Sequence, residues 1–259
     1  MKTLKDSVSD YLLELRRRSG GKGLSRVEGF FDNLLAAELS RADDPRQRNG
    51  VASRLWVPGL RAQPWHDPAE LPWLADVKAA HAGLLKEGSA LLKKGLLAPS
   101  EEGRGDLDYK GWIAFDLMTL DLDVSPDRFA CEVRSFPENR ARAPFAAGLL
   151  GRMPFIGDCF YSVLLPGGVV KSHFSQFNAK LICHLGLSVP EDGCAIRVAD
   201  EIRPWVNREF LLFDDTYLHD TWNRSAQPRL LFHTGVWHPD LTPLEIEALS
   251  GWLSHPPVG

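Results

Sequence analysis

The sequence predicts a mainly β protein, an antiparallel sandwich of the jelly-roll type, preceded by α-helices. From about residue 110 onward, short runs of β character are separated by turn signals, without a regular alternation of strand and helix. Before about residue 100, apolar residues instead recur at helical spacing. No internal repeat, low-complexity tract or clean linker interrupts the chain, so we expect a single packed unit.

Three amphipathic helices are predicted in the N-terminal part. The first covers residues 4–18. The second covers about 26–39 and begins with a capping box formed by Ser25 and Glu28. The third covers about 72–94 and lies between a proline and a glycine, which are typical of helix ends.

We divide the chain into a helical extension, residues 1–55, and a β domain, residues 56–259. The two parts are expected to pack as one unit, with the helices on the outside of the sandwich. Residues 125–136 are predicted to form a further helix, and Pro166-Gly167-Gly168 a turn between two strands. The predicted strands cover residues 112–120, 158–165, 169–173, 179–188, 194–199, 209–213 and 229–236.

The composition is that of an ordinary soluble protein, with 44% hydrophobic and 25% charged residues. A formal charge of −4 provides no basic field, which argues against a nucleic-acid partner. No apolar run is long enough to span a bilayer, and the N-terminus lacks the apolar core of a signal peptide. We therefore expect a cytoplasmic protein whose four cysteines, without CxxC spacing, are buried thiols.

Two histidines stand at the ends of predicted strands. His173 ends the short predicted strand that comes after the Pro-Gly-Gly turn. His219 comes after the acidic residues Asp214 and Asp215, which lie at the end of another predicted strand. In a jelly roll both places face the open mouth of the barrel, where ligands bind. Two imidazoles with open coordination positions suit Fe(II). A lone histidine on a strand is more often a packed or surface residue, so the spacing alone leaves both interpretations open.

Arg229 begins the apolar strand that follows the second histidine. A guanidinium reaching into the same cavity could grip a carboxylate with two parallel hydrogen bonds. The alternative is a strand-end arginine that faces solvent. Ser162, within an apolar run, could add a hydroxyl to the same anion. A metal together with a carboxylate anchor suggests an oxygenase that consumes 2-oxoglutarate.

Several other polar or aromatic residues carry two interpretations each. His184, on an apolar strand, could donate a hydrogen bond to a bound carboxylate or fill the core. Asp214 and Asp215 could orient a metal-bound histidine or make turn hydrogen bonds, and we favour the turn for at least one of them. Trp65 lies in a proline-bounded loop, where packing is the simpler explanation. His233 has no assigned role.

Segments spread over most of the chain, from about Trp56 to Pro243, match the pattern of one family in the same order. In these segments the chain resembles the aspartyl/asparaginyl β-hydroxylase family of Fe(II)/2-oxoglutarate oxygenases. The matching residues are 58–60, 64–65, 67–68, 184–187, 193–197, 213–215, His219 with Trp222, Arg229, and 237–243.

The resemblance implies a double-stranded β-helix of the cupin-like class in which His173 and His219 bind iron and are the catalytic residues. By position, Ser162 and Arg229 resemble the family's contacts for the distal carboxylate of 2-oxoglutarate. His184 resembles its contact near the proximal end. The implied cofactors and co-substrates are Fe(II), 2-oxoglutarate and O₂.

The chain departs from related oxygenases at positions that concern the metal and the substrate. Many oxygenases of this chemistry carry a carboxylate two residues after the first histidine, where this chain has Ser175. The β-hydroxylases also lack it, and the gap could instead admit a halide. Family members that act on acidic side chains have two arginines where this chain has Lys180 and Ile182, so a less charged substrate is expected. Trp65 matches a segment that lines the family's substrate entrance.

The resulting hypothesis is an Fe(II)/2-oxoglutarate-dependent dioxygenase that hydroxylates an unactivated C–H bond and converts 2-oxoglutarate to succinate and CO₂. Its expected partner is a small metabolite, an amino acid or a peptidyl residue, without nucleic acid or a membrane span. One alternative is an oxygenase of the same family that halogenates, desaturates or cyclises its substrate. Another is a jelly-roll binding protein without catalytic activity.

Overall fold

Ten β-strands form one curled antiparallel sheet in the computed structural model, which describes residues 2–99, 109–125 and 128–254. The prediction of a mainly β double-stranded β-helix, a cupin-like jelly roll with helices on its N-terminal side, is confirmed. The strands are β1 (Trp65–His66), β2 (Tyr109–Ser125), β3 (Arg128–Ser135), β4 (Phe155–His173), β5 (Lys180–Ser188), β6 (Cys194–Val198), β7 (Glu201–Pro204), β8 (Phe210–Phe213), β9 (His219–Asn223) and β10 (Arg229–Trp237).

Helices precede β1, lie between β1 and β2 and between β3 and β4, and follow β10. Two short 3₁₀ helices, Arg48–Gly50 and Pro68–Glu70, lie among them. Within the described ranges, none of the helices has both the length and the apolar character that a bilayer crossing requires. The α-helices are α1 (Leu4–Ser19), α2 (Ser25–Leu35), α3 (Leu74–Ala79), α4 (His81–Lys93), α5 (Pro137–Arg142), α6 (Pro144–Leu150) and α7 (Pro243–Ser254).

The long strand β4 joins the two halves of the curled sheet. The strand order is β1-β8-β5-β10-β4-β9-β6-β7, and β2 pairs with both β3 and β4. β4 pairs with β10 over residues 155–164 and with β9 over residues 169–173. The predicted turn at Pro166-Gly167-Gly168 does not separate two strands, because β4 runs through it; Gly167 has a φ of +72°, which glycine adopts without strain. His173 is thereby placed on the same half of the sheet as β9.

The predicted helix at residues 125–136 is wrong, since β3 occupies most of it and pairs antiparallel with β2. Phe129, Cys131 and Val133 recur at every second position, which is the spacing of a strand. Phe129 turns into the core, where its ring lies 5.7 Å from that of Trp252 on α7. The hairpin pairing with β2 decides the conformation of this segment.

The N-terminal helices share an apolar core with α7. Val8, Phe30 and Phe31 are buried in it, and the Tyr11 hydroxyl donates to the Ala248 carbonyl oxygen at 2.6 Å. α1 was predicted within one residue of its observed end.

The second and third predicted helices differ from the observed ones. α2 stops at residue 35 rather than 39, and it has no capping box because Leu24 is its N-cap. The Glu28 carboxylate instead accepts a hydrogen bond from Arg16 Nε at 2.8 Å. The third helix is divided into α3 and α4 at Ala80, and it ends before Gly95, which has a φ of +65°.

Truncating Trp252 should destabilise the protein strongly, because its side chain is 2% exposed and its ring lies 4.9 Å from that of Phe31. We expect Trp252→Ala to lower the free energy of unfolding by about 3–5 kcal/mol, measured by urea denaturation. Leu13→Ala, at a helical leucine that is 67% exposed, is the control and should change it by less than about 0.5 kcal/mol. Equal effects of the two substitutions would contradict a core shared by α1, α2 and α7.

Candidate active site

A cavity of about 550 Å³ lies between the two halves of the sheet. Side chains from the first part of β4, β5, β8 and β10 line one side of it, and side chains from the last part of β4, β6 and β9 line the other. It brings together most of the residues singled out in the sequence. Those that line it are Ser162, His173, Ser175, Lys180, Ile182, His184, His219 and Arg229.

His173 and His219 are register partners at the junction of β4 and β9, and their ring centroids lie 4.1 Å apart. Each Nδ1 donates to a backbone carbonyl two residues earlier, of Lys171 at 2.8 Å and of Tyr217 at 2.9 Å. Both imidazoles are thus in the tautomer that carries its lone pair on Nε2, the form that binds a metal. Burial, followed by the neighbouring His173, lowers the pKa of His219 to about 3, which keeps this imidazole neutral.

The histidine pair has no third protein ligand in the part of the chain that is described. There, no group of three or more histidine, cysteine, aspartate or glutamate side chains is arranged to hold a metal. Ser175, two residues after His173, lines the cavity, and its backbone N–H donates to the Asp215 carbonyl oxygen at 2.7 Å. A metal held by two imidazoles alone would keep most of its coordination positions for small ligands.

Arg229 is a buried cation, with 2% of its surface exposed. Its Nη2 donates to Ser162 Oγ at 3.1 Å, and its guanidinium carbon lies 4.4 Å from the centre of the Trp205 ring. Its Nε has no hydrogen-bond partner, and no carboxylate of the described residues pairs with it. Burial accordingly lowers the pKa of Arg229 to about 9. A buried guanidinium of this kind suits an anionic ligand.

Ser162 is prepared to donate to the same anion. Its hydroxyl oxygen accepts from Trp112 Nε1 at 2.9 Å as well as from Arg229, and both of these groups are donors only. The hydroxyl proton of Ser162 is therefore directed to a third group. A carboxylate beside Arg229 would receive hydrogen bonds from the guanidinium and from this hydroxyl.

His184 already uses both ring nitrogens inside the protein. Its Nδ1 accepts from Trp205 Nε1 at 3.2 Å, so its Nε2 is the donor to His233 Nδ1 at 2.9 Å. His233 then carries its proton on Nε2, and its ring stacks on Phe160 at 4.0 Å. Burial lowers the pKa of His184 well below the ordinary histidine value, so it is neutral. The relay from Trp205 through His184 to His233 places the outermost donor on His233.

Lys180 and Ile182 share the cavity face of β5 with His184, because alternate residues of a strand point to the same side. Lys180 Nζ contacts Asp158 Oδ2 at 2.9 Å and Asp215 Oδ2 at 3.6 Å. Burial lowers the pKa of Lys180, but the two carboxylates raise it by more, so this lysine is charged. Burial raises the pKa of Asp215, against smaller lowering effects that include Lys180 and Ser175.

A family model described as aspartyl/asparaginyl beta-hydroxylase matches residues 78–239. The chain belongs to this family. The human aspartyl/asparaginyl beta-hydroxylase is 35% identical over 204 residues, which cover 74% of this chain and 25% of that protein. An ornithine lipid ester-linked acyl 2-hydroxylase from Rhizobium tropici is 29% identical, over 70% of this chain and 62% of that protein. The chain spans about a quarter of the length of the human and mouse hydroxylases that it matches.

Among solved structures, a Pseudomonas putida prolyl-4-hydroxylase is similar with a TM-score of 0.39 and 16% identity. The similarity covers 68% of this chain and 93% of that one.

Two residues that the sequence analysis considered for this β-hydroxylase family member, Trp65 and Asp214, do not line the cavity. Trp65 does not line it; its ring packs 5.8 Å from that of Phe213, with the Arg203 guanidinium carbon 4.3 Å from its centre. Asp214 makes the turn bonds that were favoured, accepting from the Thr216 backbone N–H at 2.8 Å and from Gln47 Nε2 at 2.9 Å. Neither Asp214 nor Asp215 contacts His219, whose Nδ1 is bound to a carbonyl oxygen.

Four residues at or beside the cavity were not given a role in the sequence analysis. Trp112 and Trp205 brace Ser162 and Arg229 as described above, His233 completes the relay, and Asp158 pairs with Lys180. His233 and Asp158 carried a signal, since each lies four residues from a residue singled out in the sequence, Arg229 or Ser162, and so on the same face of the same strand. Trp112 and Trp205 are brought to the site by strand pairing and by a loop, which no local spacing reveals.

Replacing Arg229 should cost no stability in the absence of an anion, because the substitution removes a buried charge without an acidic partner. We expect Arg229→Met to leave the free energy of unfolding unchanged or to raise it by up to about 2 kcal/mol at pH 7. Glutarate, a dicarboxylate, should stabilise the wild type by about 2.7 kcal/mol at a hundred times its Kd and should not stabilise the variant. Thermal unfolding with and without glutarate measures both effects.

The stability of the wild type relative to Arg229→Met should depend on pH, in a direction that the pKa of Arg229 determines. Burial lowers the folded-state pKa of Arg229 from its ordinary value to about 9, so the cost of the buried cation is fully present below pH 9. As the pH rises above 9, the wild type should gain stability relative to Arg229→Met. Arg224→Met, at an exposed arginine over Trp222, is the matched control and should retain the response to glutarate. A strong loss of stability in Arg229→Met would contradict an uncompensated cation.

Proposed function

We propose that this protein is an Fe(II)/2-oxoglutarate-dependent dioxygenase that hydroxylates an unactivated C–H bond of a small metabolite, an amino acid or a peptidyl residue. The observation that carries the proposal is Arg229, a buried guanidinium without a carboxylate partner, in the same cavity as the histidine pair. A dicarboxylate that binds a metal at one end and a guanidinium at the other fits both features. Membership of a hydroxylase family agrees with it.

The residues present fit the proposed metal and co-substrate. His173 and His219 would hold the iron, since both Nδ1 atoms are bound to carbonyl oxygens and burial keeps His219 neutral. Arg229 and Ser162 would hold the distal carboxylate of 2-oxoglutarate through the unpartnered Nε and the hydroxyl proton. When bound, iron supplies the activation of O₂ that couples decarboxylation of 2-oxoglutarate, to succinate and CO₂, to oxidation of the substrate.

The protein's part in the reaction is to position the reactants and to keep them dry. Trp205 holds the Arg229 guanidinium from one side, and Trp112 fixes the Ser162 hydroxyl. His184, which is bonded to Trp205 and His233, lines the cavity and would lie beside the proximal end of the co-substrate. Apolar walls that include Ile182 exclude water, which strengthens each of these electrostatic contacts.

We further propose that residues 56–259 form the catalytic unit and that residues 1–55 extend it. The core shared by α1, α2 and α7 supports their packing as one body. The four cysteines are free thiols, which suits a reducing compartment such as the cytoplasm.

A succinate-release assay tests the reaction. With Fe(II), 2-oxoglutarate and O₂, the wild type should release succinate, and a suitable C–H substrate should increase the rate. His219→Ala should lower the rate by at least about a hundredfold, because the iron would lose one of two protein ligands. The control is His66→Phe, at a buried histidine outside the cavity with two unpartnered ring nitrogens, and it should keep the wild-type rate. Absence of succinate from the wild type would instead favour a binding protein without catalytic activity.

Halogenation is the second candidate, and Ser175 favours it. This residue lines the cavity two positions after His173, where a carboxylate ligand would otherwise stand. A short side chain there leaves space for a chloride on the metal. Product mass should be the same with and without chloride if the enzyme hydroxylates, whereas a product about 34 Da heavier than the substrate, formed only with chloride, would show halogenation. Ser175→Asp, which supplies a carboxylate, should suppress any chlorinated product.

A further inference from the structure

Each histidine of the pair adjoins a loop. His173 ends β4 and is followed by the first loop, residues 174–179. His219 begins β9 and is preceded by the second loop, residues 214–218. Neither loop is part of a strand, so the hydrogen bonds of the sheet do not by themselves fix how the two imidazoles are oriented.

Tyr217 connects the second loop to His219. Its backbone carbonyl oxygen accepts from His219 Nδ1 at 2.9 Å, the bond that leaves Nε2 for a metal. Its side chain is buried, and its hydroxyl donates to Asp44 Oδ2 at 3.0 Å. Its backbone forms an isolated antiparallel bridge with Gln47. The residue that orients His219 is thus held, at its backbone and at its side chain, by the N-terminal extension.

Gln47 also binds the second loop with its side chain. It is 1% exposed, and its Nε2 donates to Asp214 Oδ2 at 2.9 Å and to Thr216 Oγ1 at 3.0 Å. Its Oε1 accepts from the Asp44 N–H at 3.1 Å. A buried amide with three hydrogen bonds favours one conformation of the loop, because an apolar side chain in its place would leave Asp214 Oδ2 without this donor.

Arg48 contacts both loops. Its backbone N–H donates to the Thr216 carbonyl oxygen at 2.9 Å, and its Nη1 donates to the Ser175 carbonyl oxygen at 2.9 Å. Its guanidinium carbon lies 4.9 Å from the centre of the ring of Phe174, which follows His173 in sequence and lines the cavity. One residue of the N-terminal extension therefore links the first loop to the second.

The backbone at this link is strained. Arg48 has a φ of +43° and Asn49 a φ of +57°, in the left-handed region that residues other than glycine rarely adopt. Such a conformation persists only where the surrounding contacts determine it, and it occurs most often at functional sites. The contacts that hold Arg48 in this conformation include those to the two loops.

We propose that Gln47 and Arg48 are positioning residues of the metal site. The inference rests on the proposed function, and it gives the N-terminal extension the task of keeping His173 and His219 in the arrangement that binds iron. The ring centroids of the two histidines lie 4.1 Å apart. Because only these two side chains are proposed to hold the metal, a displacement of either ring could not be compensated by a third ligand.

Titration of the whole chain with Co(II), a spectroscopic substitute for Fe(II), tests the inference. We expect Gln47→Met to weaken Co(II) binding by at least about tenfold in Kd, measured by calorimetry, because the Tyr217 carbonyl would lose its fixed position. Arg48→Met should weaken it severalfold, since this variant keeps the backbone bond to Thr216 and loses only the side-chain contacts. The visible absorption of bound Co(II), which reports its coordination geometry, should change in both variants.

Two matched variants are the controls. Asn139→Leu also replaces a half-buried side-chain amide by an apolar group, but Asn139 lies on α5 and donates to the Asp116 carbonyl oxygen at 2.8 Å. Arg41→Met removes an exposed arginine of the N-terminal extension. Both should bind Co(II) with the Kd of the wild type.

Glutarate binding to the metal-free protein distinguishes a displaced histidine from a general loss of structure. Gln47→Met should keep the wild-type Kd for glutarate, because Arg229 and Ser162 lie on β10 and β4, outside the two loops. Should Gln47→Met not fold, Tyr217→Phe, which removes only the hydroxyl contact with Asp44, takes its place and should weaken Co(II) binding severalfold.

The outcomes separate the inference from the proposed function. Unchanged Co(II) binding in Gln47→Met, or an equal loss of Co(II) and glutarate binding, would overturn the positioning role while the oxygenase proposal stands. Absence of Co(II) binding by the wild type, with 2-oxoglutarate present, would contradict the proposed function and the inference together.

Discussion

The buried guanidinium of Arg229 is the constraint on which the arrangement of the cavity depends. A cation with 2% exposure and no acidic partner is unfavourable in a folded protein, and burial lowers its pKa to about 9. The surrounding residues do not neutralise it; Trp205 contacts its face and Ser162 accepts one of its N–H groups. A site that keeps such a charge is prepared for an anion, and the neighbouring histidines explain why that anion would also meet a metal.

The two cations that line the cavity have different partners. Arg229 contacts Trp205 and Ser162, and its Nε makes no hydrogen bond. Lys180 instead lies between the carboxylates of Asp158 and Asp215. Arg229 is therefore the cation that suits an anionic ligand, as the proposed function requires.

The sequence predicted the fold class and most strands because both depend on short-range patterns, namely runs of β-forming residues separated by turn residues. Its errors occurred where contacts with other elements decide the conformation. Residues 128–135 form β3 because β2 offers an edge, and β4 continues through Pro166-Gly167-Gly168 because both of its halves have partners. The predicted helix at 72–94 is divided at Ala80, and the spacing of apolar residues does not indicate a break there. The local sequence at Ser25 and Glu28 fits a capping box, but the Glu28 carboxylate accepts a hydrogen bond from Arg16 of α1 instead.

The sequence by itself determined the jelly-roll class, the family, and the residue types that can bind a metal and a carboxylate, since these depend on periodicity and on motifs. Only the tertiary structure decided how those residues act. It shows His173 beside His219, leaves Arg229 without an acidic partner, and links His184 to Trp205 and His233. It also surrounds Lys180 with carboxylates from β4 and from the loop after β8. The charge of a site is a sum over side chains from distant parts of the chain, so only folding fixes it.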